Sequence, residues 1–142
     1  MIKDDRGQVA LEYLLILAIS LILLVVFTLP LTEKSVENTL DISDSLDVNS
    51  DLSKIAQAVK QVYGEGQGSR HSVNVISKSN IKLNIADNHV STTLKLKDGS
   101  NKRLNVNFKS SLDESSLQLK KGENVIIVEW PLGSENMVIY GK

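Results

Sequence analysis

Glu12 is the residue whose placement most needs a chemical reason. It lies four residues after Gln8 in the stretch Arg6-Gly7-Gln8-Val9-Ala10-Leu11-Glu12, where the chain enters an unbroken apolar run. A carboxylate carried into a bilayer costs about 2.5–3.5 kcal/mol at the centre and less near the interface, so it is a functional candidate by default. Two uses are open to it. It can pair with an ammonium group, or it can snorkel to the headgroups and do nothing more.

The other candidates are weaker. Asp47, Asn49 and Asp51 resemble the opening of a calcium loop, but Leu52 stands where the sixth position requires glycine, and Ala58 where the twelfth requires a bidentate glutamate. His71 and His89 both sit beside turn-like polar sequence with no spaced carboxylates around them, so they read as surface residues. There is no nucleophile elbow and no phosphate loop, and the chain has no cysteine to supply a thiolate. We therefore expect no catalytic residues, no metal site, no cofactor and no enzyme. The net charge of -1 argues against nucleic acid, since phosphate binding needs a basic surplus. Trp130 is expected in the core, or as an adhesive contact if partly exposed.

The element that positions Glu12 is the apolar run Tyr13 to Leu31, interrupted only by Ser20, Thr28 and Pro30. As a helix rising about 1.5 Å per residue it would reach roughly 28 Å, close to the hydrocarbon thickness of a bilayer. A core helix would show a polar stripe, and this run has none. A conventional signal peptide would end in a small-residue cleavage site, whereas the sequence after Phe27 reads Thr-Leu-Pro-Leu-Thr-Glu-Lys-Ser. The segment is thus expected to stay in the mature protein. Lys3, Arg6 and the initiator amine place the N-terminus in the cytoplasm and everything after residue 31 outside. Pro30 removes a backbone donor and frees the Val26 carbonyl, which Thr28 could partly satisfy. The proline marks either a soft helix joint or the end of the helix at the membrane surface.

Four features coincide at this N-terminus: a charged leader, Gly7-Gln8, a glutamate at a fixed offset, and an uninterrupted apolar helix. Together they resemble the class III signal peptide of archaeal type IV pilin-like proteins. The resemblance covers about the first 25 residues and implies several expectations. A membrane-embedded prepilin peptidase would cut between Gly7 and Gln8, making Glu12 the fifth residue of the mature chain. Glu12 would then pair with the new α-amine of Gln8 on a neighbouring subunit, ordinarily protonated with a pKa of about 8. Cyclisation of Gln8 to pyroglutamate would remove that charge. Partners would be other pilin subunits in a homo-oligomeric filament, the assembly ATPase and its membrane platform, and membrane lipid before assembly. The glycine-rich mature start typical of archaellins is missing, which favours a pilus subunit. N-linked sequons, common in such proteins, are absent too.

Beyond the membrane run the chain turns polar. Glu33, Glu37, Asp41 and Asp44 make an acidic helix face, and Val48, Leu52, Ile55, Val59 and Val62 make an apolar stripe. Asn49 or Ser50 is expected to cap a second half of the helix. Gly64 to Ser69 marks the boundary, after which the apolar period switches to two. The expected organisation is a leader, 1–7; a helical stalk, 8–63, with transmembrane segment 13–31; a Gly-rich linker, 64–69; and an extracellular β head, 70–142. The fold class is α+β: a long N-terminal helix, then about seven antiparallel strands in a small sheet or sandwich with helix 48–63 on one face. Residues 125 to 130 should be the most buried strand, and Asp98-Gly99 the clearest hairpin turn.

Overall fold

The computed structural model describes residues 5–142. Met1 to Asp4, including Lys3 of the orientation argument, lie outside the described residues, as do the side chains of Asp5 and Arg6. The chain divides into two units, the first ending at Leu40 and the second running Asp41–Lys142. One helix, α1 (Asp5–Glu65), contributes to both.

In the first unit α1 passes Pro30 without ending. That removes the reading of Pro30 as a helix terminus. The polar side chains of this stretch turn back on their own backbone: Ser20 Oγ donates to the Ile16 carbonyl and Thr32 Oγ1 to that of Leu29, both at 2.8 Å. Thr28 Oγ1 donates to the Leu24 carbonyl and not to the Val26 carbonyl that Pro30 frees. The reason is geometric, because a helical hydroxyl reaches the carbonyl one turn back and not the one two residues away. The large apolar side chains from Leu11 to Leu31 are all exposed, and α1 contains a window of mean hydropathy 3.0 that the chain itself leaves wholly uncovered.

In the second unit α1 continues to Glu65, two residues past the expected end of the stalk. Asn49 and Ser50 do not cap anything. The ladder is unbroken there, so their neighbours' N–H groups already have carbonyl partners, and the Asn49 carbonyl additionally accepts from Ser53 Oγ. The real terminus is glycine chemistry. Gly66 adopts φ +88°, a left-handed value that favours glycine, and its N–H closes on the Val62 carbonyl at 3.0 Å. Ser69 Oγ donates to the same carbonyl, so the last turn is tied to the start of the sheet.

Seven strands follow: β1 (Arg70–Ser77), β2 (Ile81–Ala86), β3 (His89–Lys95), β4 (Asn101–Asn107), β5 (Ser115–Leu119), β6 (Gly122–Glu129) and β7 (Val138–Gly141). They pair antiparallel in two sheets, ordered β1-β6-β7 and β4-β3-β2-β5. The sheets meet edge to edge where β5 runs beside β7, with Leu117 Cδ1 close against Gly141. A parallel bridge between Leu112 and Met137 extends the seam. The Asp98-Gly99 turn joins β3 to β4 as its sequence suggests, with Gly99 at φ +85°.

One core serves both sheets and the helix. Leu52, Ile55, Val59 and Val62 pack with Val75 of β1, Leu83 and Ile85 of β2, Val90 of β3, and Ile126 and Val128 of β6. The near-continuous apolar stretch is buried at its centre, Ile126, Ile127 and Val128, while Val125, Glu129 and Trp130 are half-buried. Trp130 departs from the expectation of a core residue. It is half-buried, and its ring lies flat on that of Tyr63, centroids 5.8 Å apart and planes 5° apart, while the indole N–H donates to the Ser134 carbonyl at 2.9 Å. An indole buried fully would have needed a partner inside the core, whereas the edge position supplies one from a loop.

Candidate functional site

Gly7, Gln8 and Glu12 all lie on the first turns of α1, exposed. Gln8 and Glu12 are separated by four residues of helix, so their side chains share one face about one turn apart. No ion pair among the described residues engages Glu12. A carboxylate in the opening turn is also favoured by the helix dipole, and this would hold for Glu12 in any chain that began at Gln8. Gly7 has the opposite character. Glycine weakens a helix by roughly 1 kcal/mol relative to alanine, so Gly7 lowers the stability of the opening turn. The arrangement thus offers a glycine in that turn, an acid one turn beyond Gln8, and an uncovered apolar helix to follow.

Residues 6–31 match the class III signal peptide family. The match spans the leader junction, Glu12, the apolar run and Pro30, and it stops before the polar part of α1. No curated protein and no solved structure matches the chain. The N-terminus is thus of the type IV pilin kind, joined to a long helix and a β head. Such a signal implies processing by a prepilin peptidase and handling by type IV assembly machinery, with the chain anchored in the membrane or exported.

The remaining sequence candidates fall elsewhere. His71 Nε2 lies 3.0 and 3.1 Å from the two carboxylate oxygens of Glu65, linking the end of α1 to β1. His89 Nδ1 contacts Asn88 Oδ1 at 2.8 Å, on a different sheet, so the two histidines are not brought together. Asp47, Asn49 and Asp51 stay on a continuous helix and wrap no loop. Among the described residues no three metal-ligating side chains gather.

Sequence reasoning missed Lys78. Its Nζ lies 2.9 Å from Asp44 and 2.7 Å from Asp47, and those two carboxylates hold the lysine's pKa well above its ordinary range. Asp41 accepts the Lys97 backbone N–H. Half of the acidic face thus has an internal purpose: Asp41 and Asp44 fasten α1 to its own sheet, while Glu33 and Glu37 remain exposed. The i, i+3 spacing of Asp44 and Asp47 was the available signal, but only the fold brings a lysine from the β1–β2 turn against it. An open, largely apolar cleft of about 570 Å³ lies between Lys60 and Tyr63 of α1 and the segment Asn107–Lys109. Its walls combine the Lys60 and Lys109 side chains with the Tyr63 and Phe108 rings.

Proposed function

We propose that this chain is a structural subunit of an archaeal type IV-like pilus. The precursor sits in the cytoplasmic membrane with its N-terminus inside and residues 32–142 outside. Prepilin peptidase removes residues 1–7, and the assembly ATPase and its platform draw the mature chain out of the lipid. Tyr13–Leu31 then packs in the filament core with the β head at the surface, and Glu12 meets the Gln8 amine of a neighbour. Pro30 serves as a joint where the helix leaves the bilayer. The reading includes no enzymatic activity, no cofactor and no nucleic-acid partner.

The observation that carries it is a coincidence in one stretch. The class III signal match falls on the same residues whose apolar surface the chain leaves uncovered, with an acid at its head that has no ion-pair partner among the described residues. A simple anchor gains nothing from that acid. A second reading, a minor pilin or single-pass anchored binding module for adhesion, draws on the head instead, where the open cleft beside Tyr63 and Lys60 offers a contact surface. The test is to shear filaments from cells and determine the N-terminal residue and abundance of this chain. Gln8 as the first residue of a dominant component supports the filament subunit. A trace component beginning at Gln8 supports the minor-pilin alternative. A surface chain that retains Met1 to Gly7 overturns both pilin readings.

A further inference from the structure

The outer face of the four-stranded sheet has an unusual lining. Antiparallel register places Ser116, Asn84, Ser91 and Asn105 in one row across β5, β2, β3 and β4. These residues alternate with the core-facing Leu83, Ile85, Val90, Leu104 and Val106, so the row points away from the core. A polar outer face is ordinary for an antiparallel sheet, but among polar residues strands favour threonine. Asparagine is depleted from strands, yet Asn84 and Asn105 occupy interior strand positions with no packing to gain. A local preference set aside without a packing return points to a use for the side chain.

The same face is recessed. A depression of about 420 Å³ opens over Asn84, Ser91 and Ser116, with Arg103 on the β4 side and Glu114 on the β5 side. It opens where the short side chains of Ala86, Ser91, Ser115 and Ser116 lie among the longer ones of Asn84, His89, Arg103 and Glu114. Ser91 is only 2% exposed although it belongs to the outer row, so its neighbours cover it, and the groups open to a ligand are those of Asn84, Arg103, Glu114, Ser115 and Ser116. Arg103 and Glu114 are not paired with each other or with any other charged group among the described residues. The volume falls within the range that holds small ligands, and the lining is more polar than apolar, with Ile85 and Ala86 beside the hydrogen-bonding groups.

We infer that this recess is a saccharide-binding site. Amide, hydroxyl, guanidinium and carboxylate groups offer donors and acceptors side by side, and neighbouring sugar hydroxyls are each both donor and acceptor. An apolar ligand would find only the small apolar wall of Ile85 and Ala86, and a phosphate-rich ligand would meet Glu114 and an overall charge of -1. With no Trp, Tyr or Phe in the lining and only the His89 ring to stack on, one site binds weakly, and repeated display would raise the effective affinity. The inference does not depend on assembly, since the site is complete in one chain.

The test uses the full chain in phosphocholine nanodiscs, free of sugar-headed detergent, on an array of immobilised glucose, mannose, galactose and N-acetylhexosamine oligosaccharides. We expect binding to at least one of these classes, competed by the free oligosaccharide. Asn84→Ala and Arg103→Ala, both at exposed positions, should weaken it tenfold or more with unchanged circular dichroism. Asn74→Ala on β1 of the other sheet should leave it intact. Binding to no sugar at millimolar concentration overturns the inference. So does binding that survives both substitutions, which would place the contact elsewhere, such as the cleft beside Tyr63.

Discussion

At Gly7 the constraint is steric. A peptidase site that accepts glycine beside the scissile bond excludes a β-branched side chain, and valine would also stiffen the turn that must open. Gly7→Val should leave the precursor uncut, which mass spectrometry of membranes reads directly as retention of Met1 to Gly7. Glu12 belongs to a later step. Glu12→Leu should insert and be cleaved normally, since losing the acid makes insertion easier, but it should not assemble, because the incoming helix loses the attraction that sets its register. Glu12→Gln separates charge from shape. Filaments from the glutamine variant but not the leucine variant would show a neutral bond, as expected beside a cyclised Gln8. Filaments from both would reduce Glu12 to a snorkelling side chain and remove the physical case for pairing.

Among the elements, α1 is held to its sheet in two different ways. From Leu52 to Val62 the hold is apolar burial, and Ile55→Ala should cost about 2–5 kcal/mol by transfer and cavity. A fragment 48–142 should accordingly melt well above a fragment 64–142, in which the sheets expose the face that Leu52, Ile55 and Val59 cover. Equal melting temperatures would mean that the stripe contributes little to the head. From Asp41 to Asp47 the hold is electrostatic, through Lys78 and the Lys97 N–H. Lys78→Met should speed amide exchange in Asp41–Asp47 and leave Leu52–Val62 unchanged, and high salt should narrow the difference by screening. The β3–β4 turn should be acid-sensitive. Hydrogen bonds from Ser100 hold the Asp98 carboxyl below its usual range, so this contribution is present above about pH 3.9 and is lost as pH falls through the lower folded value. Line broadening or faster exchange at Gly99 and Ser100 only below that pH would check it.

Across the whole molecule, two surfaces face different environments. The helix from Leu11 to Leu31 exposes apolar side chains in every direction, which in water would drive aggregation and in lipid is neutral. The head presents polar outer positions, with single exceptions such as Leu132, 82% exposed on the turn before β7. A chain so divided should extract only with detergent before assembly and sediment with filaments afterwards. Sheared filaments that contain the chain with residues 1–7 removed, against a membrane pool that retains them, would trace the passage from one environment to the other.

The sequence alone determined the features that depend on near neighbours. The apolar run, the glutamate offset and the Gly-Gln junction are local, and so is the stripe from Val48 to Val62, whose spacing is that of any helix with one buried side. The count of seven strands was legible too, since alternation and turn residues are written along the chain. What lay beyond it was pairing over distance. Nothing in β1 indicates that its partner is β6, whose paired residues run from Gly122 opposite Ser77 to Glu129 opposite Arg70, or that β5 and β7 form the seam between sheets. Lys78 shows the same limit on the scale of a side chain: its two carboxylates are more than thirty residues earlier, and only packing of α1 brings them together. The misplaced cap at Asn49 and Ser50 has a related cause. Cap propensity is a preference of about 1 kcal/mol, and burial of the continuous stripe from Leu52 onward, shared among several side chains, outweighs it.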